Sequence, residues 1–194
     1  MKKKIYLLGS GGHASSCIDV IEKTRKFKIC GLFSDSGEKT LLGYKVIGNT
    51  FELIKYSKKL NLVIAFGSIK KFIIRKNFFI KLKKKGHFFP KIISPNSVIA
   101  KNVKIDEGSV IFHDVVINTN AVIGKNCIIN TKSCIEHDSF ISDHAHISTG
   151  VMINGNCKIG EGVFIGSRTV LRENINIKSK TIIGFGKVIG RSKI

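Results

Sequence analysis

From Ser97 onward, apolar and polar positions recur with a period of six: SVIAKN, VKIDEG, SVIFHD and on to KVIGRS, sixteen hexads without a gap. The third place is Ile in every hexad but one, from Ile99 to Ile189, with Leu171 the exception. The first place holds mostly Ser, Ala, Cys, Thr or Val, and two residues apart on a strand share a face, so first and third places both point inward. The last three places are rich in Gly, Asn, Asp and Lys, which tolerate turns and solvent. Each hexad therefore reads as a short strand plus a corner. Three hexads closing one triangular turn would set each Ile over the Ile 18 residues later, in about five coils whose strands pair between coils.

Residues 3–94 follow a different pattern. KIYLLGSGGHASSCIDVIEK reads as strand, Gly-rich turn and helix, followed by strand KICGLFSD, helix NTFELIKYSKK, strand LNLVIAFG, a Lys-rich helix from about Ser68 to Lys85 and a last strand, HFFPKIIS. Alternating strands and helices predict a small Rossmann-like α/β domain with a parallel sheet of about four strands. The expected organisation is a Rossmann-like domain over 1–94 and a β-helix domain over 95–194. A prism with flat faces and no insertions offers no concavity, so its cleft has to come from another subunit or the other domain.

Composition narrows the function classes. With 194 residues and 43% hydrophobic content the chain can bury a core. Only four apolar residues, Ile5 to Leu8, follow the initial Met-Lys-Lys-Lys, too few for a signal peptide. No apolar run approaches the roughly 20 residues of a membrane span. A cytoplasmic protein without membrane insertion is the expectation. The net charge of +20 suggests nucleic acid, but only five of the 33 basic residues are Arg and the aromatics lie within apolar runs. Neither base-edge readout nor a stacking platform is served, and no nucleic-acid partner is expected. The five cysteines form no CxxC pair and read as structural thiols.

Gly9-Ser10-Gly11-Gly12-His13-Ala14 fits G-x-G-x-x-[GA] after a strand, and Asp35 ends the next strand at the spacing of a ribose-binding acid. A helix N-terminus holds any diphosphate, so NAD, a sugar nucleotide and a purely structural turn stay open. In the prism, His137 occupies a hexad corner between Glu136 and Asp138, where an adjacent carboxylate can hold the imidazole in one tautomer for general-base work. Zinc held by His137, His144 and His146 is a competing reading, as is a non-catalytic scaffold or sugar-nucleotide-binding solenoid.

Taken together, LLGSGGHA, INTKSCIEHD, HISTGVMINGNCKIGEGVFIGS and IIGFGKVI resemble the NeuD/PglD-type sugar acetyltransferases of the hexapeptide-repeat superfamily. The resemblance implies a left-handed parallel β-helix, a homotrimer with sites between subunits, and acetyl-CoA as co-substrate without a metal. The implied acceptor is a nucleotide-linked amino sugar of the UDP-4-amino-4,6-dideoxy type in bacterial surface glycan synthesis, or a sialic-acid-like sugar acetylated on oxygen. By resemblance His137 is the base and Asp138 its partner, with Asn130 orienting the site. His146, Gly155, Ser167, Gly184 and Phe185 would hold acetyl-CoA, the Gly155 amide facing the thioester oxygen. Gly11, Gly12, His13, Ser34, Asp35, Gly67 and Ser68 would hold the acceptor. The family pattern usually continues beyond GFGKVIGRS into a loop and a G-x-P-containing tail; this sequence ends at Ile194, and a weaker hold on CoA is expected from that.

Overall fold

The computed structural model describes residues 2–67 and 72–190. Hydrophobic strands and an amphipathic helix pattern produce β1 (Lys3–Leu8), α1 (Gly12–Thr24) and β2 (Phe27–Phe33), then a hairpin β3 (Thr40–Leu41)–β4 (Tyr44–Gly48), α2 (Thr50–Lys55), β5 (Leu62–Ile64) and α3 (Phe72–Lys84). The sheet order is β3-β4-β2-β1-β5, with β1 parallel to both neighbours and β3 antiparallel to β4. This is five strands rather than about four, because the Leu42-Gly43 turn, both residues at positive φ, folds a short antiparallel edge onto β4. Of the expected last strand, HFFPKIIS, Phe88 meets this sheet through an isolated parallel bridge to Asn61, beside β5. Ile92–Ile93 of the same stretch pairs with Val110–Ile111 and forms the first rung of the prism.

The hexads fold as the period demands. Two-residue rungs at the second and third places stack in parallel at 18-residue steps, for example Val98↔Val116↔Cys134, into sheets of six, five and six rungs. All fifteen sixth places from Asn102 to Gly186 have φ between 54 and 74°. Gly, Asn and Asp adopt this left-handed turn at least cost, which is why they recur there. Third-place isoleucines form one buried column. First-place hydroxyls and thiols donate to a corner carbonyl 15 residues on: Ser133 Oγ to Ser148 O (2.8 Å), Cys127 Sγ to Ser142 O (3.2 Å) and Cys157 Sγ to Arg172 O (3.1 Å). Burial raises the Cys127 thiol to about 12, so it is an inert packing group.

One prism face, the row Ile92, Val110, Ile128, His146, Phe164 and Ile182, is the docked face: its lower rungs and Phe112 pack with α1. Helix α3 seats on the corner beside it. Phe72 meets Gly162, Lys76 pairs with Glu161, Arg75 Nε donates to Asn126 O, Phe79 meets Gly108 and Lys83 pairs with Glu107. One helical turn advances about 5.4 Å and one coil about 4.8 Å, so positions 72, 75/76, 79 and 83 can meet successive coils. Arg75 is buried, lowered by that burial to about 10 and hence still protonated at neutral pH, and its Nη1 donates to Ile64 O and Phe66 O. On the other flank His113 joins Ser94 (2.6 Å) to Asp19 of α1 (2.6 Å).

Gly162 combines φ +65° with a Phe72 ring 2.5 Å from where a Cβ would stand. Gly162→Ala is therefore expected to cost about 2–4 kcal/mol, from backbone strain plus overpacking. That corresponds to a fall in Tm of about 4–16 °C in a thermal melt.

Candidate active site

The sixth place after the Cys134–Ile135 rung is Asp138, and its neighbour His137 stands at the corner opposite the docked face. His137 Nδ1 lies 2.8 Å from Asp138 Oδ2, with the ring 63% exposed. An ionised carboxylate only accepts, so Nδ1 carries the proton and Nε2 keeps its lone pair for a substrate. The ring lies over Gly155, one coil further on, where a Cβ would fall 2.6 Å from Cε1 and Nε2. Only glycine leaves that space. The hydrogen bond from His137, together with one from Asn120 Nδ2 (3.1 Å), holds the Asp138 carboxyl below the usual carboxylate range. Neighbouring Glu136 accepts from Asn118 Nδ2 (2.8 Å) and from the Cys134 thiol (3.2 Å).

Asn120 escapes a reading confined to neighbours in sequence. The left-handed places of this corner run Asn102, Asn120, Asp138, Asn156, Asn174, and the side chains of 102 and 120, 120 and 138, and 156 and 174 are hydrogen-bonded between coils. A period of 18 at the sixth place carries that signal. Removing one such bond costs about 0.5–1.5 kcal/mol of positioning, so Asn120→Ala should lower turnover about 2- to 10-fold at constant KM. Steady-state kinetics with both substrates varied check this.

A second set of groups gathers where β1, β2 and β5 end, at the point where strand order reverses across β1. A cavity of about 320 Å³ is lined by Gly9, Ser10, Gly11, Ser34, Asp35, Ser36, Thr50 and the rings of Phe33, Phe66 and Phe78. Gly9, at φ +119°, lets the chain pass against Ala65 O. The α1 N-terminus has no side-chain cap and no acid in its first turn, which leaves its partial positive charge for an anion. Ser10 Oγ lies 2.7 Å from both Ser34 Oγ and Ser36 Oγ. Both Asp35 oxygens are held by Thr50, from N (2.9 Å) and Oγ1 (2.6 Å), so this carboxylate also anchors α2.

Of the expected acceptor residues, Gly11, Ser34 and Asp35 line this cavity and Gly12 opens α1 beside it; Ser10, Ser36 and Thr50 join them unanticipated. His13 and Gly67 lie instead against the docked face: His13 packs on Phe112 (5.4 Å) and His146 (6.5 Å), and a Cβ on Gly67 would meet His146 at 3.7 Å. Burial, with Arg75 and His146 nearby, lowers His13 to about 3, so it is neutral near pH 7. Ser68 lies outside the described residues. Among the CoA candidates, His146 projects from the docked face against Phe164. Ser167, Gly184 and Phe185 climb the corner between the docked face and the next, with Asn130 lower on the same ridge. Gly155 stays with His137. Among the described residues no three His, Cys, Asp or Glu side chains group as a metal site, and His137 stands on a different corner from His144.

Residues 4–82 match the family model of the PglD N-terminal domain, and residues 93–194, more than half of the chain, that of the GMPPB C-terminal domain. No curated protein matches the chain. Among solved structures, the acetyltransferase domain of PglB from Neisseria gonorrhoeae superposes with a TM-score of 0.91 at 26% identity, covering 97% of this chain and 92% of that one. That domain has also been solved with acetyl coenzyme A. A mutant perosamine N-acetyltransferase from Caulobacter crescentus, in complex with CoA and GDP-perosamine, superposes at 0.90 with 25% identity over 97% and 89% of the two chains. WeeI from Acinetobacter baumannii, 21% identical with a TM-score of 0.66, shares the fold. A small α/β domain on a left-handed parallel β-helix, with an exposed corner histidine, defines a hexapeptide-repeat acyltransferase. Within that superfamily the chain belongs to the NeuD/PglD-type sugar acetyltransferases.

Proposed function

We propose that this protein transfers acetyl from acetyl-CoA to the amino group of a nucleotide-linked amino sugar, of the UDP-4-amino-4,6-dideoxy type, for bacterial surface glycans. The observation that carries the reading is the His137–Asp138 pair over Gly155. His137 Nε2 takes a proton from the amine as its nitrogen bonds to the acetyl carbonyl carbon. The Gly155 N–H stabilises the tetrahedral oxyanion, and the C–S bond then breaks, the imidazolium proton leaving with the CoA sulfur. Acetyl-CoA supplies the acyl group; Ser167, Gly184 and Phe185 are its contacts along the ridge, with His146 beside them on the docked face, and Asn130 orients the reacting groups. The acceptor's diphosphate lies at the α1 N-terminus on Gly11 and Gly12, its nucleoside against Ser34 and Asp35. His13, Gly67 and Ser68 close that side toward the prism.

The working unit in this reading is a cytoplasmic homotrimer. His137 occupies the corner opposite the face that carries the N-terminal domain, so one chain's base and its own acceptor cavity stand on opposite sides of the prism. The face between the His137 corner and the CoA ridge presents an apolar row, Val98, Val116, Cys134, Met152, Val170 and Val188. Val98, Met152 and Val188 are 61, 45 and 75% exposed in the single chain, as an interface row would be. Among the described residues no helix is long and apolar enough to cross a membrane.

Thiol release from acetyl-CoA, assayed against UDP-4-amino sugars, a GDP-4-amino sugar, and free and CMP-linked sialic acids, tests the assignment. Release with a nucleotide amino sugar is the expected result. Release with sialic acids alone would move the reaction to O-acetylation, and silence with retained sugar-nucleotide binding would make the chain a binding module.

A further inference from the structure

The charge of this protein is concentrated at one end. Residues 1–94 contain 21 of the 33 lysines and arginines but only five of the 13 acids. In a parallel α/β domain, strand N-termini and helix C-termini share one edge, opposite the cavity. Here that edge gathers Lys2 and Lys3 before and at the start of β1, Arg25 and Lys26 between α1 and β2, Lys59 before β5 and Lys84 at the end of α3. The register confirms the neighbourhood: Lys3 pairs with Phe27 across β1 and β2, and the Lys59 side chain lies against Gly86, just beyond α3.

All six side chains are exposed, and none forms an ion pair with a described residue. The nearby acid Glu22 accepts a hydrogen bond from Tyr44 Oη at 2.7 Å. Lys2, Lys3, Arg25 and Lys26 also line a shallow cleft of about 620 Å³ floored by Phe27. The α1 and α3 C-termini present their partial negative ends here, which favours basic side chains but leaves most of the positive charge uncompensated. The pattern is flat and lysine-rich, and the exposed ring of Phe88 near Lys59 is a single apolar side chain rather than a stacking row, which suits a sheet of anionic headgroups better than bases or a bidentate phosphate code.

We infer that this basic edge docks the protein on an anionic phospholipid surface. Docked by this edge, β1 runs away from the lipid and the sugar-nucleotide cavity opens about 20 Å above it, free to exchange substrate with solution. The contact is electrostatic and peripheral; each lysine near such a surface contributes about a fivefold factor in partitioning, and the attraction fades within a Debye length of about 8 Å at physiological salt.

Co-sedimentation of the full chain with vesicles tests this. Binding is expected to equimolar phosphatidylglycerol and phosphatidylcholine, not to phosphatidylcholine alone, and to vanish at high salt. A quadruple variant, Lys3→Gln, Lys26→Gln, Lys59→Gln and Lys84→Gln, should lose at least about 100-fold in partitioning. A control with the same charge removed from the prism, Lys104→Gln, Lys158→Gln, Lys178→Gln and Lys187→Gln, should lose about tenfold or less. Absence of binding to the anionic vesicles, equal loss in the two variants, or release of vesicle-bound protein by stoichiometric duplex DNA or RNA would each overturn the inference, the last in favour of a nucleic-acid partner.

Discussion

Replacing His137 by alanine is expected to lower kcat by about 10²- to 10⁴-fold, the usual contribution of a positioned general base. Tm and acetyl-CoA binding should stay within error of the parent. The fold should not notice the change, because the ring is 63% exposed and its neighbours Gly155 and Asp138 are corner residues outside the isoleucine column. The backbone carbonyl of His137, which accepts from Asn156 N at 2.9 Å, is untouched by the substitution. Stopped-flow thiol release with saturating substrates reads the chemical step directly. A variant within threefold of wild type would move the base elsewhere.

Asp138 sharpens that test. Its carboxylate fixes the protonated nitrogen as Nδ1, and the bonds from His137 and Asn120 keep it ionised into acid. The carboxylate therefore keeps its hold on Nδ1 as pH falls below neutral.

The prism was legible in the sequence because one rule, an aliphatic third place, is repeated in every hexad, and a repeat overrules any local ambiguity. The pairing of His137 with Asp138 was legible because the two sit side by side in the chain. What stayed hidden depends on distances of about 18 residues or more. Asn120 reaches Asp138 only once coils stack, and the His137 ring finds Gly155 the same way. The serine cluster of Ser10, Ser34 and Ser36 forms only when β1 and β2 lie side by side. Ile92 was misplaced because two apolar residues after a proline look alike whether they finish one sheet or begin the next; pairing with Val110 decides it. His13 was named from its place in the Gly-rich motif, and its packing on Phe112, a residue 99 positions away, could not be read there.

Val116→Asp should convert the protein to monomers and bring turnover below about 1% of wild type, although the altered residue touches neither substrate. Val116 is the second rung of the apolar row, pairing with Val98 below and Cys134 above, and a carboxylate there would be desolvated against a second copy without a partner. Its side chain points away from the isoleucine column, so the monomer should keep its β-helix signal in circular dichroism while sedimentation velocity reports the smaller mass. Activity falls with assembly because the docked face and the His137 corner of one chain stand on opposite sides of the same prism. Mixing two inactive proteins separates this from simple damage. His137→Ala keeps the cavity, and Gly11→Arg, at a position with open space for a side chain, fills the cavity but keeps the base. Random assembly after dissociation would give sites about a quarter of which are intact in both halves. Recovered turnover near that fraction places the base and the acceptor cavity of each site on different chains; no recovery from the mixed trimers would put both on one chain.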